Sequence, residues 1–268
     1  MDRPSWAPTD VDLELPSAAR VYDYYLGGSH NFAVDREMAR RAIELWPDLP
    51  QVLQANRAFL RRAVRYLISQ GITQFLDIGS GIPTVGNVHE VAQDALPEAR
   101  VVYVDVEPVA VAHTRAILAD NDRADIVQAD LSDVNAITAD PRATRLLDFS
   151  RPVGVLMVAL LHFVPDDADP AKIVSRYREL MVPGSQLVLS HATQEGRPDQ
   201  ADSHTALYER TTTPMTMRSR SQVAELLCDF DIVAPGVVFL PQWRPESPAD
   251  VDDRPERFTG YAAVGRRE

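Results

Sequence analysis

From residue 74 onward the chain repeats one pattern five times: a short, almost wholly apolar run, then a stretch with helical spacing. The runs are QFLDI (74–78), RVVYVDV (100–106), DIVQA (125–129), PVGVLMV (152–158) and SQLVLSH (185–191). Strands without polar alternation need cover on both faces, and strands joined through a helix return in the same direction. The pattern therefore predicts an α/β fold, a mostly parallel sheet between two helical layers. The intervening helices are expected at about 87–95, 108–119, 133–148 and 170–181. The tail breaks the alternation, with a helix at about 219–228 and strand candidates at 230–239 and 258–265. No helix separates those last two strands, which predicts an antiparallel hairpin at one edge of the sheet.

Ahead of the first strand, helical patterns at about 17–26, 35–46 and 50–69 follow an arm of residues 1–16. In the third, Val52, Phe59, Ala63 and Leu67 fall near one face. The expected division is an N-terminal arm and helical cap over 1–70 and a ligand-binding sheet domain over 71–268, together one compact unit.

Composition excludes several function classes. A chain of 268 residues with 45% hydrophobic content can bury a substantial core. Its net charge of -12 argues against a nucleic-acid partner, which would call for a basic footprint. The single cysteine, Cys228, excludes an intrachain disulfide framework and a cysteine zinc cluster. Within AELLCDF it is expected to be a buried small apolar residue. The first 16 residues lack an apolar signal core, and the longest apolar run, VGVLMVALLHFV, is about half a membrane span. A soluble cytoplasmic protein with no membrane partner is the expectation, its oligomeric state left open.

Open parallel sheets bind ligands beyond the carboxyl ends of their strands. After the first strand candidate come Asp77, Gly79, Ser80 and Gly81; a third glycine, which a dinucleotide loop would want at position 84, is replaced by Thr84. Asn87, with Glu90 three residues later, has the spacing of a capping box for the next helix. Asp105 ends the second strand, where a carboxylate can accept from both hydroxyls of a ribose. Asp130, in QADLSD after the third, can accept from an exocyclic amine, with Leu131 able to cover a ring. Each has a structural alternative, a tight turn for the glycines and a cap or turn for either acid. The ordered conjunction favours a ligand, and an acid beside the glycines suits a cationic ligand better than a diphosphate.

These residues resemble the first three motifs of class I S-adenosylmethionine-dependent methyltransferases. ARVYDYYLGGSHNFAVDREMA, FLDIGSGIPTVGNVHEVAQ, VVYVDVEPVAVAHTRAIL and MRSRSQVAELL are together similar to a bacterial S-adenosyl methyltransferase family of unassigned acceptor, over about residues 17–265. Ser80 and Ile82 stand where Thr and Leu would be expected. The resemblance implies a Rossmann-like sandwich with a seven-stranded sheet, the last strand antiparallel, and a helical N-terminal cap. It implies S-adenosyl-L-methionine as methyl donor. Gly79, Ser80 and Gly81 would line its methionine part, Asp105 with Val106 the ribose, Asp130 with Leu131 the adenine, and Asp77 its amino group. The acceptor is expected to be a small molecule.

Other residues divide more evenly between function and structure. In VYDYYLGGSHNF, Tyr22 and Asn31 are candidates to hold cofactor or acceptor, and residues 17–36 to form a lid; Gly27 and Gly28 can equally end a helix. His162, after the fourth strand, is the candidate general base, with His191 behind it. Asp166, Asp167 and Asp169 precede Pro170 and read as helix-capping residues before a metal site, so no metal is expected. A nicotinamide oxidoreductase, an aminopropyl transferase and a non-catalytic cofactor-binding protein remain alternatives.

Overall fold

The computed structural model describes residues 7–9, 11–84, 86–196, 206, 208, 214–247 and 251–268. Three helices, α1 (Ala18–Tyr25), α2 (Ala33–Leu45) and α3 (Leu49–Ser69), precede the first strand. The alternating region runs β1 (Gln74–Ile78), α4 (Val88–Ala95), β2 (Arg100–Asp105), α5 (Pro108–Ile117), β3 (Ala124–Gln128), α6 (Val134–Ala139), α7 (Pro141–Leu146), β4 (Gly154–Val158), α8 (Pro170–Leu180) and β5 (Gln186–Ala192). It is followed by α9 (Arg220–Glu225), β6 (Asp231–Ile232), β7 (Val238–Phe239) and β8 (Gly260–Arg266).

The strands lie in the order β3-β2-β1-β4-β5-β8-β6, with β7 also paired to β8. β1 to β5 pair in parallel, and β8 runs antiparallel to both β5 and β6. Every residue of β1 is buried, the polar Gln74 and Asp77 included. One core joins Leu76, Val155 and Leu187 to Ile137, Ile173 and Tyr177 from the helices on one face. The other joins Phe75, Leu156 and Val188 to Phe59, Ala63 and Leu67 of α3 and to Val88 and Val111 of α4 and α5.

Three expectations change. The 133–148 helix is two helices, because Pro141 lacks an N–H and Asp140 takes an extended conformation whose carboxylate caps α7. The 230–239 strand is two short strands, separated at Pro235 and at Gly236, whose φ is +92°. The tail does pair antiparallel at one edge: β8, buried from Gly260 to Gly265, lies beside β5, and two-residue β6 and β7 pair with it, β6 forming the edge. Cys228 is exposed, since α9 ends at Glu225 and the thiol falls in the turn beyond it.

α1 is fixed across the carboxyl end of the sheet by Arg20, which is 3% exposed. Its Nε donates to Asp35 at 2.9 Å and its Nη1 to Glu107 at 3.1 Å, in the turn after β2. Its Nη2 donates to the carbonyls of Leu15 and Asp12 at 2.6 and 3.3 Å. Asp35, fully buried, also accepts from the backbone N–H of Ser17 and Phe32 at 3.0 and 2.8 Å. A buried charge with its partner removed is costly, so Asp35→Ala is expected to lower stability by about 3–5 kcal/mol, read from the urea midpoint.

Candidate active site

The switch point of this sheet lies between β1 and β4, whose following segments diverge. A crevice opens there with about 1210 Å³ of empty space. Its wall begins with the loop after β1. Gly79 and Gly81 both have φ near +68°, which favours glycine. A Cβ at Gly79 would meet Leu160 Cδ1 at 2.4 Å, whereas one at Gly81 would enter open space. The loop is hooked onto the end of β2, with Gly79 N–H donating to the Val104 carbonyl at 2.8 Å and Gly81 N–H to Asp105 Oδ2 at 2.7 Å. Asp105 Oδ1 accepts from Glu107 N–H at 2.9 Å, so one carboxylate braces both turns at the crevice mouth. Beyond the loop, Glu90 accepts from Asn87 N–H at 2.8 Å and completes the expected capping box.

The crevice is electrostatically prepared. Burial pushes the Asp77 carboxyl up to about 7; Arg57 opposes that shift and Asp105 adds to it. Burial also raises Asp105 to about 6 against its backbone N–H donors. Arg57, from α3, lines the same space and donates to the Gly86 carbonyl at 2.8 Å. The crevice thus offers a carboxylate that a cation would stabilise and a guanidinium suited to an anion. Ser80 Oγ is buried with no hydrogen-bond partner among the described residues, and Val106 on the rim is 59% exposed. A polar group and a flat apolar surface are what such a wall lacks. These features fit an amino acid joined to a nucleoside.

A second cavity, of about 640 Å³, adjoins the crevice. The two share Ala18, Tyr22, Asn56, Ala159 and Phe163 as a partition. The far wall is apolar and aromatic, including Tyr25, Trp46, Leu49, Tyr208, Met215 and Met217.

Asp77, Gly79, Ser80, Gly81, Asp105, Val106, Asp130, Leu131 and Tyr22 all line the crevice. Asn31 does not. Its Nδ2 donates to Asp23 Oδ2 at 2.8 Å and to the Gly28 carbonyl at 3.0 Å, so it braces the turn after α1. Gly27 ends that helix at φ +80°, and a Cβ at Gly28 would strike the Asp23 carboxylate. Asp130 Oδ1 accepts from both the N–H and the hydroxyl of Ser132, forming a local turn. Asp169 caps α8 and Asp166 pairs with Arg218, so neither carboxylate is arranged for a shared ligand.

The histidines also differ from expectation. His162 lines the second cavity, but its Nδ1 accepts from Ala192 N–H at 3.3 Å. That bond places the proton of the neutral ring on Nε2, in keeping with the structural alternative of a histidine bonded to backbone. His191 Nδ1 lies 2.8 Å from the Ala192 carbonyl and its Nε2 lies 2.9 Å from Arg218 Nη1. A carbonyl only accepts and a guanidinium only donates, so both nitrogens are committed. Burial lowers the ring to about 4, with Arg218 adding to the effect.

The order of strands and the paired cavities define the class, a Rossmann-like methyltransferase fold with its ligand space at the switch point. The family model described as S-adenosyl methyltransferase matches residues 4–268. A candidate methyltransferase from Thermobifida fusca, known from its crystal structure, is 38% identical, with 99% of this chain and 100% of that chain covered and a TM-score of 0.92. A DUF574 family protein from Streptomyces avermitilis is also 38% identical, with 96% and 99% covered and a TM-score of 0.91. An O-methyltransferase family protein from Burkholderia thailandensis shares the fold at 13% identity, with 87% and 70% covered and a TM-score of 0.51. No functionally curated protein matches the sequence. The chain belongs to the S-adenosyl methyltransferase family. It is an S-adenosylmethionine-dependent methyltransferase, and the nicotinamide and aminopropyl alternatives fall away. No helix among the described residues is long and apolar enough to cross a membrane.

The state of Asp77 makes a pH test direct. Below about 7 its carboxyl is protonated and neutral; above, it is charged and attracts an ammonium group. Affinity for S-adenosylhomocysteine should therefore rise as pH increases through 7, with protons released on binding at the acid end. Calorimetry in two buffers of different ionisation enthalpy measures both, and Asp77→Asn should flatten the profile.

Proposed function

We propose that this methyltransferase holds its donor in the crevice and methylates a small molecule seated in the second cavity. The observation that carries the reading is the shared partition: Ala18, Tyr22, Asn56, Ala159 and Phe163 line both spaces. Residues of α1, α3 and the segment after β4 line this cavity, whose far wall of rings and thioethers suits a small apolar molecule.

In this assignment Asp77 faces the amino group of the donor and Arg57 its carboxylate. Gly79 and Gly81 admit the methionine chain close to the backbone, and Ser80 Oγ gains a partner. Asp105 accepts from the ribose, while Val106 and Leu131 flank the adenine beside Asp130. Ser17, Ala18, Ala19 and Tyr22 of the cap close the crevice from above and exclude water. S-adenosylmethionine supplies a sulfonium-activated methyl carbon, and the electron pair of the broken carbon–sulfur bond stays on sulfur. The chain's own part is alignment: two rigid spaces meeting at one partition bring the reactants together without a covalent intermediate.

The test is incubation of the protein with methyl-labelled donor and fractionated cell extract. Label is expected in the low-molecular-mass fraction; label confined to protein or nucleic acid would overturn the reading. Asp105→Ala should weaken S-adenosylhomocysteine binding by roughly 1.5–3 kcal/mol, the value of hydrogen bonds to a charged group, in a protein that still unfolds cooperatively. Unchanged affinity would leave Asp105 as a brace of the glycine loop alone.

A further inference from the structure

We propose that the second cavity selects an uncharged, flat, largely aromatic acceptor, one of whose hydrogen-bond-accepting atoms is anchored by the Tyr22 hydroxyl. This rests on the cavity being the acceptor site.

The charge follows from the lining. Among the described residues, no Asp, Glu, Lys or Arg faces this cavity. His191 is neutral with both nitrogens committed. An ionic acceptor would lose its hydration here with no countercharge to replace it. Shape and polarity follow from Tyr25, Trp46, Phe163, Tyr208, Met215 and Met217, rings and thioethers that suit aromatic faces.

The anchor follows from a chain of hydrogen bonds with a definite direction. Ala159 N–H donates to Ser190 Oγ at 2.9 Å. Ser190 Oγ lies 2.6 Å from Asn56 Oδ1, the length of an O–H···O bond, so serine donates its hydrogen there. Asn56 Nδ2 lies 3.0 Å from Tyr22 Oη, the length of an N–H···O bond, so the phenol oxygen accepts. With its oxygen accepting from Asn56, the phenol's own hydrogen is not used in that chain, and Tyr22 lines both cavities. Burial raises the Tyr22 phenol above its ordinary value, which keeps that hydrogen in place at neutral pH. Tyr22 is therefore a positioning donor and not a base.

Three bicyclic probes separate these properties: quinoline, which is neutral with an accepting nitrogen; naphthalene, which has none; and N-methylquinolinium, which is charged. Binding to the protein saturated with S-adenosylhomocysteine is read by tryptophan fluorescence. Quinoline should bind about fivefold more tightly than naphthalene, the worth of one neutral hydrogen bond, and N-methylquinolinium should not bind measurably. Tyr22→Phe should erase the quinoline advantage. Leu53→Trp, which fills the cavity from a residue outside the crevice, should abolish binding of both neutral probes and leave S-adenosylhomocysteine affinity unchanged. The proposal is overturned if N-methylquinolinium binds as well as quinoline, or if neither neutral probe binds. It is also overturned if Tyr22→Phe weakens S-adenosylhomocysteine instead and keeps the probe ratio, which would assign the donor to the cofactor. Failure of S-adenosylhomocysteine itself to bind would strike the functional assignment, a separate result.

Discussion

The buried guanidinium of Arg20 ties the cap to the sheet. It joins the arm through the Asp12 and Leu15 carbonyls, α2 through Asp35, and the turn after β2 through Glu107. That turn is the one Asp105 braces, so the position of α1 above the crevice and the shape of the crevice rim are coupled through two consecutive links. Hydrophobic contact alone is non-directional and would let α1 slide on its greasy face of Val21 and Tyr25. A planar fork with fixed donors does not permit the slide.

A second clamp of similar construction holds the opposite side. Arg218 donates to the Leu161 and Val164 carbonyls, to His191 and to Asp166, fastening the segment after β4 to the end of β5. His162, Phe163 and Ala192 line the second cavity from this fastened region. Both arginines are almost fully buried, and both are satisfied largely by carbonyls and carboxylates.

The sheet was legible in the sequence because each parallel strand is a continuous apolar run bounded by turn residues. β1 matches its predicted bounds, and the other parallel strands agree within about two residues at each end. The crevice was legible for the same reason: its residues follow strands whose ends were already placed. Arg20 and Arg57 were not, because Glu107 and Gly86, which join them to the sheet's loops, lie far along the chain and nothing local marks an arginine for such a role. Asn56 did leave a signal, a polar residue between Val52 and Phe59 on the apolar face of α3. Asn31 and His162 misled for a shared reason. Composition shows that a polar group is near a site, but only the fold shows whether its lone pair or N–H is already spent, on Asp23 for one and on the β5 backbone for the other.

Ala159 carries a φ of 55°, a left-handed conformation that costs a residue with a Cβ about 1–2 kcal/mol. Glycine would relieve that cost, and the position would look like an easy gain to anyone seeking a sturdier enzyme. Yet Ala159 lines both cavities. Under the proposed assignment, glycine there would thin the partition between the donor's space and the acceptor's. On that assignment a sturdier protein of this kind would also be a leakier one, with less to keep water from the sulfonium.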